Sequence, residues 1–362
     1  MAAVFFTGFP GFLGGALLPR VLERRPEATA VCLVQPRFAA LARRRAEALA
    51  AARPAVAGRI RLVEGDLTRP GLGLAPGDLA VADVVEIFHL AAVYDLSVPR
   101  EPAMKVNVEG TVHVLELAAD CPRLERLHHV STCYVSGRHP GPFGEDDLEK
   151  GQAFANFYEE TKYLAEVEVR ARMRAGLPAT IYRPAITVGD SATGETQKLD
   201  GPYFVIQWLL RQRGPVAILP TVGDLTAEVN VVPRDFVISA IAHLAGLEQS
   251  RGKTYQLADP APLQVAPLLE VLSRAVGKRI VRIPLRLGVA RWAIERVPGV
   301  YPLLRIPSGA LDYFVLRTRY DTRNALADLA GSGIACPSFA SYADRLVAFA
   351  RAHPEVTSAA MT

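Results

Sequence analysis

The stretch TGFPGFLGG, residues 7–15, sets Gly8, Gly11 and Gly14 at every third position, directly behind the apolar run at 4–6. A strand that feeds a helix through closely spaced glycines is a turn suited to phosphate. The first glycine permits the tight turn and the second lets an anion approach the backbone. The third lets the helix pack close to the sheet, with its positive N-terminal end facing the anion. The spacing is GxxGxxG rather than GxGxxG, so the rest of the chain has to supply the context. Apolar runs at 4–6, 30–34, 60–63, 85–90, 127–130 and 180–182 alternate with helical patterns at 12–25, 39–52, 106–119 and 158–175. Strand then helix, repeated, predicts an α/β fold: a Rossmann-type doubly wound parallel sheet with a smaller C-terminal substrate-binding lobe. Gly- and Pro-rich text takes over beyond this region. The expected division is a nucleotide-binding core over 1–185, a mixed lobe over 186–355 with elements returning to the core, and a disordered tail at 356–362. Pro19, inside the first helical pattern, is expected to bend or shorten that helix.

Composition narrows the function. Half of the 362 residues are hydrophobic, enough for a large core, and a net charge of +4 is too small to imply nucleic acid. Cys32, Cys121, Cys133 and Cys336 lack CxxC spacing, which fits a reducing compartment and argues against structural zinc. His89, His128, His129 and His139 have no acidic or cysteine partners at ligand spacing, so no metal is expected. The first strand leaves no room for a signal peptide and no apolar run is long enough to span a bilayer, so the expected location is the cytoplasm.

Residues 158–162, YEETK, place Tyr158 and Lys162 on one helical face. A phenol titrates near about 10, and a neighbouring ammonium is expected to bring it towards neutrality for acid–base work. Some 26 residues earlier, HHVSTCYVSG ends a predicted strand with two hydroxyls, Ser131 and Thr132. Either could hold a carbonyl oxygen together with Tyr158, and Thr132 is preferred. Cys133 beside it reads as a packed, inert thiol. The second strand ends in LVQPRF, with Gln35 and Arg37 where an NAD enzyme would place an acid for the ribose. This favours NADP(H) over NAD(H). Asp66 in GDLT accepts from the adenine amino group or only caps a turn. The acids of FGEDDLEK read as a solvated loop.

At these residues the chain resembles the extended short-chain dehydrogenase/reductase family. Within it, the pieces FHLAAVYDLS, NVEGT, HHVST, YRPAITVGDSATGETQKLDGPYF, NVVPRDFV and RYDTRN resemble the N-terminal reductase region of bacterial fatty acyl-CoA reductases and related thioester and fatty-aldehyde reductases. The resemblance implies a catalytic triad of Thr132, Tyr158 and Lys162. Around the glycine turn it implies nucleotide contacts at Thr7, Gly8, Phe9, Gly11, Phe12, Leu13 and Gly14. Beyond the turn it implies Asp66 and Leu67, the HLAA residues Ala91 and Ala92, Asn107, Ser131 and Pro184, with Tyr158 and Lys162 also reaching the cofactor. Relatives often have arginine where Gln35 stands, and Arg37 is the expected substitute. The second reductase domain of those relatives is absent from this sequence.

The function these features imply is NADPH-dependent reduction of a long-chain acyl derivative, either fatty aldehyde to alcohol or acyl-CoA or other thioester to aldehyde. The same triad serves 3β-hydroxysteroid and nucleotide-sugar enzymes, and a dinucleotide-sensing protein without catalysis is a third reading. Residues 281–320 hold Arg282, Arg286, Arg291, Arg296, Arg305, Arg317 and Arg319 against Glu295 and Asp312, among many apolar side chains. They are expected to form a basic lid or a peripheral membrane-facing edge at the substrate mouth.

Overall fold

The computed structural model describes residues 2–94, 98–223, 225–298 and 308–356, so the tail expected at 356–362 lies outside the described residues from 357 on. A seven-stranded parallel sheet runs in the order Thr254–Leu257, Ala179–Pro184, Arg126–Val130, Val84–His89, Ala3–Thr7, Thr29–Val34, Ile60–Glu64. Six of these strands are buried on both faces because both faces are covered, while the edge strand Ile60–Glu64 exposes Arg61 and Glu64. The pleat sends Val4 and Phe6 into one layer with Leu17, Leu18 and Tyr182, and Phe5 into the other with Val114, Leu115 and Ile181. Burying an aliphatic or aromatic side chain of this size contributes about 1.5–3 kcal/mol, so the alternation holds the register.

Six of these strands lie where the sequence predicts them. The seventh, Thr254–Leu257, returns from late in the chain to pair with Ala179–Pro184. Helix Phe12–Arg24 runs through Pro19 without interruption, so Pro19 does not cut it short. The helix expected over 106–119 begins earlier, at Arg100, and passes through a π-turn at Met104–Glu109 into Gly110–Asp120. Glu145 in FGEDDLEK is buried rather than solvated. Its carboxylate accepts from the backbone amides of Gln256, Asn324 and Ala325 at 2.9, 2.5 and 3.2 Å, tying this loop to the last strand and to helix Arg323–Leu329.

A second core forms where helices Pro202–Arg211, Val265–Val276 and Ala343–Ala352 pack together with strand Val216–Val222, which pairs in parallel with Arg279–Leu285. Among the described residues, no helix is long and apolar enough to cross a membrane. The order of the main sheet reverses between the adjacent strands Ala3–Thr7 and Val84–His89. The crevice at their carboxyl ends is where sheets of this kind take ligands.

Candidate active site

Gly8 follows the first strand at φ +91°, and a Cβ there would meet Leu90 at 2.9 Å. Its carbonyl accepts from the Gly11 amide at 2.8 Å. A Cβ on Gly14 would lie 2.4 Å from that same oxygen. The glycines therefore fold the chain over one carbonyl. The first intrahelical bond is made by Gly15 to Gly11 at 2.8 Å, which leaves the preceding amides of Phe12, Leu13 and Gly14 at the cavity wall. Such a cradle fits the pyrophosphate of a dinucleotide. Arg45 on helix Ala39–Ala52 braces it by donating to the Pro10 carbonyl at 2.8 Å. No motif reading of the glycine turn could have found that arginine, which lies outside it.

The same cavity is lined by Thr7 and Phe9, by Leu67, and by Ala91 and Ala92. Gln35 and Arg37 stand at the end of the second strand, where the Arg37 Nε donates to Gln35 Oε1 at 2.9 Å and the guanidinium lies 4.8 Å from the Phe38 ring centre. Among the described residues this corner carries no carboxylate on the cavity wall. Asp66 does not itself line the cavity: it accepts from the Thr68 amide and hydroxyl, both at 2.9 Å, closing a turn, and is hydrogen-bonded to the side chain of Gln35, which does line it. Asn107 lies in the π-turn, accepts from the Val93 amide at 2.9 Å and donates to the Val93 carbonyl at 3.1 Å and to Thr161 Oγ1 at 3.0 Å. It holds the loop after Ala92 in place and does not itself line the cavity. π-turns concentrate at functional sites, as this one does.

Helix Phe157–Arg174 begins at Asn156, whose side-chain oxygen accepts from the Glu159 amide at 3.0 Å. Tyr158, Lys162 and Glu166 follow at four-residue spacing, which lines them up on one face. Lys162 Nζ donates to the Val130 carbonyl at 2.8 Å. Glu166 and Arg183 form a fully buried ion pair at 2.6 Å, and the Ser131 hydroxyl donates to Glu166 at 2.7 Å. The helix is thus pinned to two strand ends beneath Tyr158. With Ser131 turned to Glu166, the hydroxyl left at Tyr158 is that of Thr132, which hydrogen-bonds to it. Thr132 Oγ1 also lies 3.4 Å from the Pro184 carbonyl and accepts from the Tyr134 amide at 3.3 Å. The signal for Glu166 is its place as third member of the i, i+4 series, which the Tyr–Lys pair alone does not reveal.

Burial sets the electrostatics. It raises the Tyr158 hydroxyl to about 12, against the opposing hydrogen bond from Thr132. It lowers the Lys162 ammonium to about 8, against the opposing charge of Glu166. The expected lowering of the phenol by the lysine is not what this geometry produces: burial raises the hydroxyl, and Lys162 Nζ is bonded to the Val130 carbonyl. Tyr158 is instead a neutral hydroxyl at physiological pH, the form that can donate a proton. His89 is buried between the hydroxyls of Thr7 and Thr111, at 2.8 and 2.9 Å, and burial brings it down to about 3. Cys133 is buried with its sulfur 3.0 Å from the Arg183 carbonyl, and burial pushes its thiol up, away from reactivity.

On the side away from the glycine turn, Thr187, Lys198, Asp200 and Tyr313 complete the wall. Lys198 pairs with Asp200 at 2.9 Å and lies 4.3 Å from the centre of the Tyr94 ring.

A family model described as "Male sterility protein", an NAD-binding model, matches residues 6–241. The chain is 32% identical over 275 residues to a linear gramicidin synthase of Brevibacillus parabrevis, covering 71% of this chain and 5% of that protein. It is 26% identical over 279 residues to the fatty acyl-CoA reductase wat of Drosophila melanogaster, covering 66% of this chain and 53% of that one. The chain thus spans only part of the length of these relatives. It also superposes on the terminal R domain from the myxalamid PKS-NRPS biosynthetic pathway with a TM-score of 0.81 and 29% identity, over 98% of this chain and 91% of that one. The chain belongs to the male sterility family of NAD-binding proteins, a branch of the extended short-chain dehydrogenase/reductases, which are oxidoreductases using a nicotinamide cofactor.

Proposed function

We propose that this chain is an NADPH-dependent reductase of acyl derivatives, taking fatty aldehydes to alcohols and acyl-CoA or other acyl thioesters to aldehydes. The observation that carries the reading is the meeting of the Thr132 and Tyr158 hydroxyls in the cavity that begins at the glycine turn and continues to Ile186 and Tyr313. The likeness to a terminal R domain and to a fatty acyl-CoA reductase supports it. Residues 1–185 are the nucleotide-binding core and 186–355 a mixed substrate lobe with elements, strand Thr254–Leu257 among them, returning to the core. The amides of Phe12, Leu13 and Gly14 would hold the pyrophosphate, Arg37 the 2′-phosphate, and Lys162 the nicotinamide ribose. When bound, the cofactor supplies the hydride.

The chain's own part is the oxygen. Thr132 and Tyr158 clamp the carbonyl and stabilise the charge that develops there. With an aldehyde, Tyr158 gives its proton to that oxygen and the alcohol is complete. With a thioester, the tetrahedral adduct must break its carbon–sulfur bond and release a thiolate, which leaves readily because thiols titrate near about 8.5. No residue beyond this set is assigned to the leaving group, so aldehyde reduction is the faster step. The test is NADPH oxidation with decanoyl-CoA, decanal, a 3-ketosteroid and a UDP-sugar, with product identification. Turnover of only the steroid or the sugar overturns the reading.

Arg37→Ala is expected to weaken NADPH binding about tenfold, the worth of one charge-assisted contact, while sparing NADH. Titration of both cofactors checks it, and equal losses would remove Arg37 from 2′-phosphate recognition.

The segment from 281 to 320 suits a basic surface at the substrate mouth. One face of the paired strands Val216–Val222 and Arg279–Leu285 exposes Val216, Ile218, Val281, Ile283 and Leu285. Helix Leu287–Arg296 adds Val289 and Trp292. Arg279 shares this face of the strand, and Arg282, Arg286 and Arg296 are exposed nearby in the chain, while Arg305 lies outside the described residues. Anionic lipid would meet both the arginines and the apolar stripe. The protein is expected to co-sediment with phosphatidylserine vesicles and to lose most of that binding on Trp292→Asp. Equal sedimentation of the variant would reduce the face to local packing.

A further inference from the structure

We propose that Tyr313 is a substrate-orienting residue of the active site, and that Glu159 and Asn156, at the start of the catalytic helix, are its positioning residues. Tyr313 lines the cavity beside Thr132 and Tyr158. Its ring stands edge-on against Tyr134, with centroids 4.6 Å apart. Its hydroxyl donates to the Glu159 carboxylate and accepts from Asn156 Nδ2 at 3.4 Å. Glu159 is only 1% exposed, and its carboxylate also accepts from the Ala155 amide at 2.9 Å and from Asn156 Nδ2 at 3.3 Å. A buried carboxyl is costly unless its hydrogen bonds are met. This one meets them by fixing a tyrosine at the mouth of the site.

The adjacent Asp312 is buried and anchored in the opposite direction. It accepts from Arg291 at 2.8 and 2.9 Å and from Arg138 at 3.2 Å. Leu311 packs against Ala290 and Ile294 of the lobe helix Leu287–Arg296. Two neighbouring side chains therefore join the lobe to the catalytic helix, and Tyr313 is the one presented to the cavity. An acyl chain extending from the catalytic hydroxyls towards the lobe passes this ring. Fixing the ring selects long chains, which contact it along their length, over short ones, which end before it. The choice of an acyl ligand rests on the function proposed above.

The experiment compares wild type with Tyr313→Phe, Glu159→Ala and Glu159→Gln. It reads KM and kcat for decanal and propanal with NADPH. It also reads calorimetric binding of decanamide, a carbonyl ligand this chemistry does not reduce, to the NADP⁺-loaded protein. Tyr313→Phe and Glu159→Ala should each raise the decanal KM and the decanamide Kd about five- to tenfold, the value of one lost hydrogen bond. The propanal KM and both kcat values should move less. Glu159→Gln keeps an acceptor oxygen and should restore both constants to within about twofold of wild type. Decanamide affinity unchanged in Tyr313→Phe, or no decanamide binding by the wild type, overturns the proposal. So does Glu159→Gln behaving as badly as Glu159→Ala. Failure of the wild type to reduce any aldehyde counts against the proposed function alone, since the decanamide measurement still decides this one.

Discussion

Tyr158→Phe should lower turnover by about 10²- to 10⁴-fold while leaving the fold and NADPH affinity close to wild type. The size follows from the loss of a single positioned proton donor. The specificity follows from the geometry. The phenylalanine ring fills the same space, and Lys162 and Glu166 remain bonded to Val130 and Ser131. What disappears is the hydroxyl that meets Thr132. Because burial holds that hydroxyl at about 12, it is protonated throughout the working range. Loss of activity in the variant should therefore be nearly the same at pH 6 and pH 8. Steady-state rates at both pH values, with circular dichroism and cofactor titration as controls, make the measurement. A variant within threefold of wild type would take Tyr158 out of the chemistry.

Gly14→Ala should abolish most cofactor binding and cost stability as well. Its Cβ would sit 2.4 Å from the Gly8 carbonyl oxygen and 2.8 Å from the carbonyl carbon, so backbone must move. Overpacking of this kind costs about 1–3 kcal/mol. The displaced helix start also takes the amides of Phe12 and Leu13 out of line with the phosphates. Each hydrogen bond to a charged group is worth about 1.5–3 kcal/mol, so losing one or two weakens NADPH by about tenfold to a hundredfold or more. Thermal melts with and without NADPH read both effects: a lower Tm in the apo protein, and loss of the cofactor-induced rise. A full NADPH shift in Gly14→Ala would mean that the cofactor does not use this turn.

What is legible in the sequence is what is local in the chain. The glycine turn, the paired Tyr158 and Lys162, and the β-branched runs of six strands each announce themselves within a few residues. Strand Thr254–Leu257 does not, because TYQL is short and its Gln256 is polar yet buried, its Nε2 donating to the Phe143 carbonyl and its backbone amide to Glu145 while Oε1 is left without a hydrogen bond among the described residues. The helix start at Arg100 is hidden by Pro102, which a first turn tolerates because the amide there has no intrahelical partner. Glu145 and Glu159 both look like solvent-facing acids in charged text. Each is buried because distant parts of the chain supply its donors, Asn324 and Ala325 for the first and Tyr313 for the second. Sequence spacing carries no record of such partners.

The most direct test of hydride transfer onto an acyl carbonyl uses NADPH deuterated at nicotinamide C4, in single turnover with decanal. The expected product is decanol carrying one deuterium at C1, formed rapidly by wild type and about 10²-fold or more slowly by Tyr158→Phe. Decanol without deuterium, or NADPH left unoxidised by decanal while a sugar or steroid in the same assay is turned over with label, would contradict it.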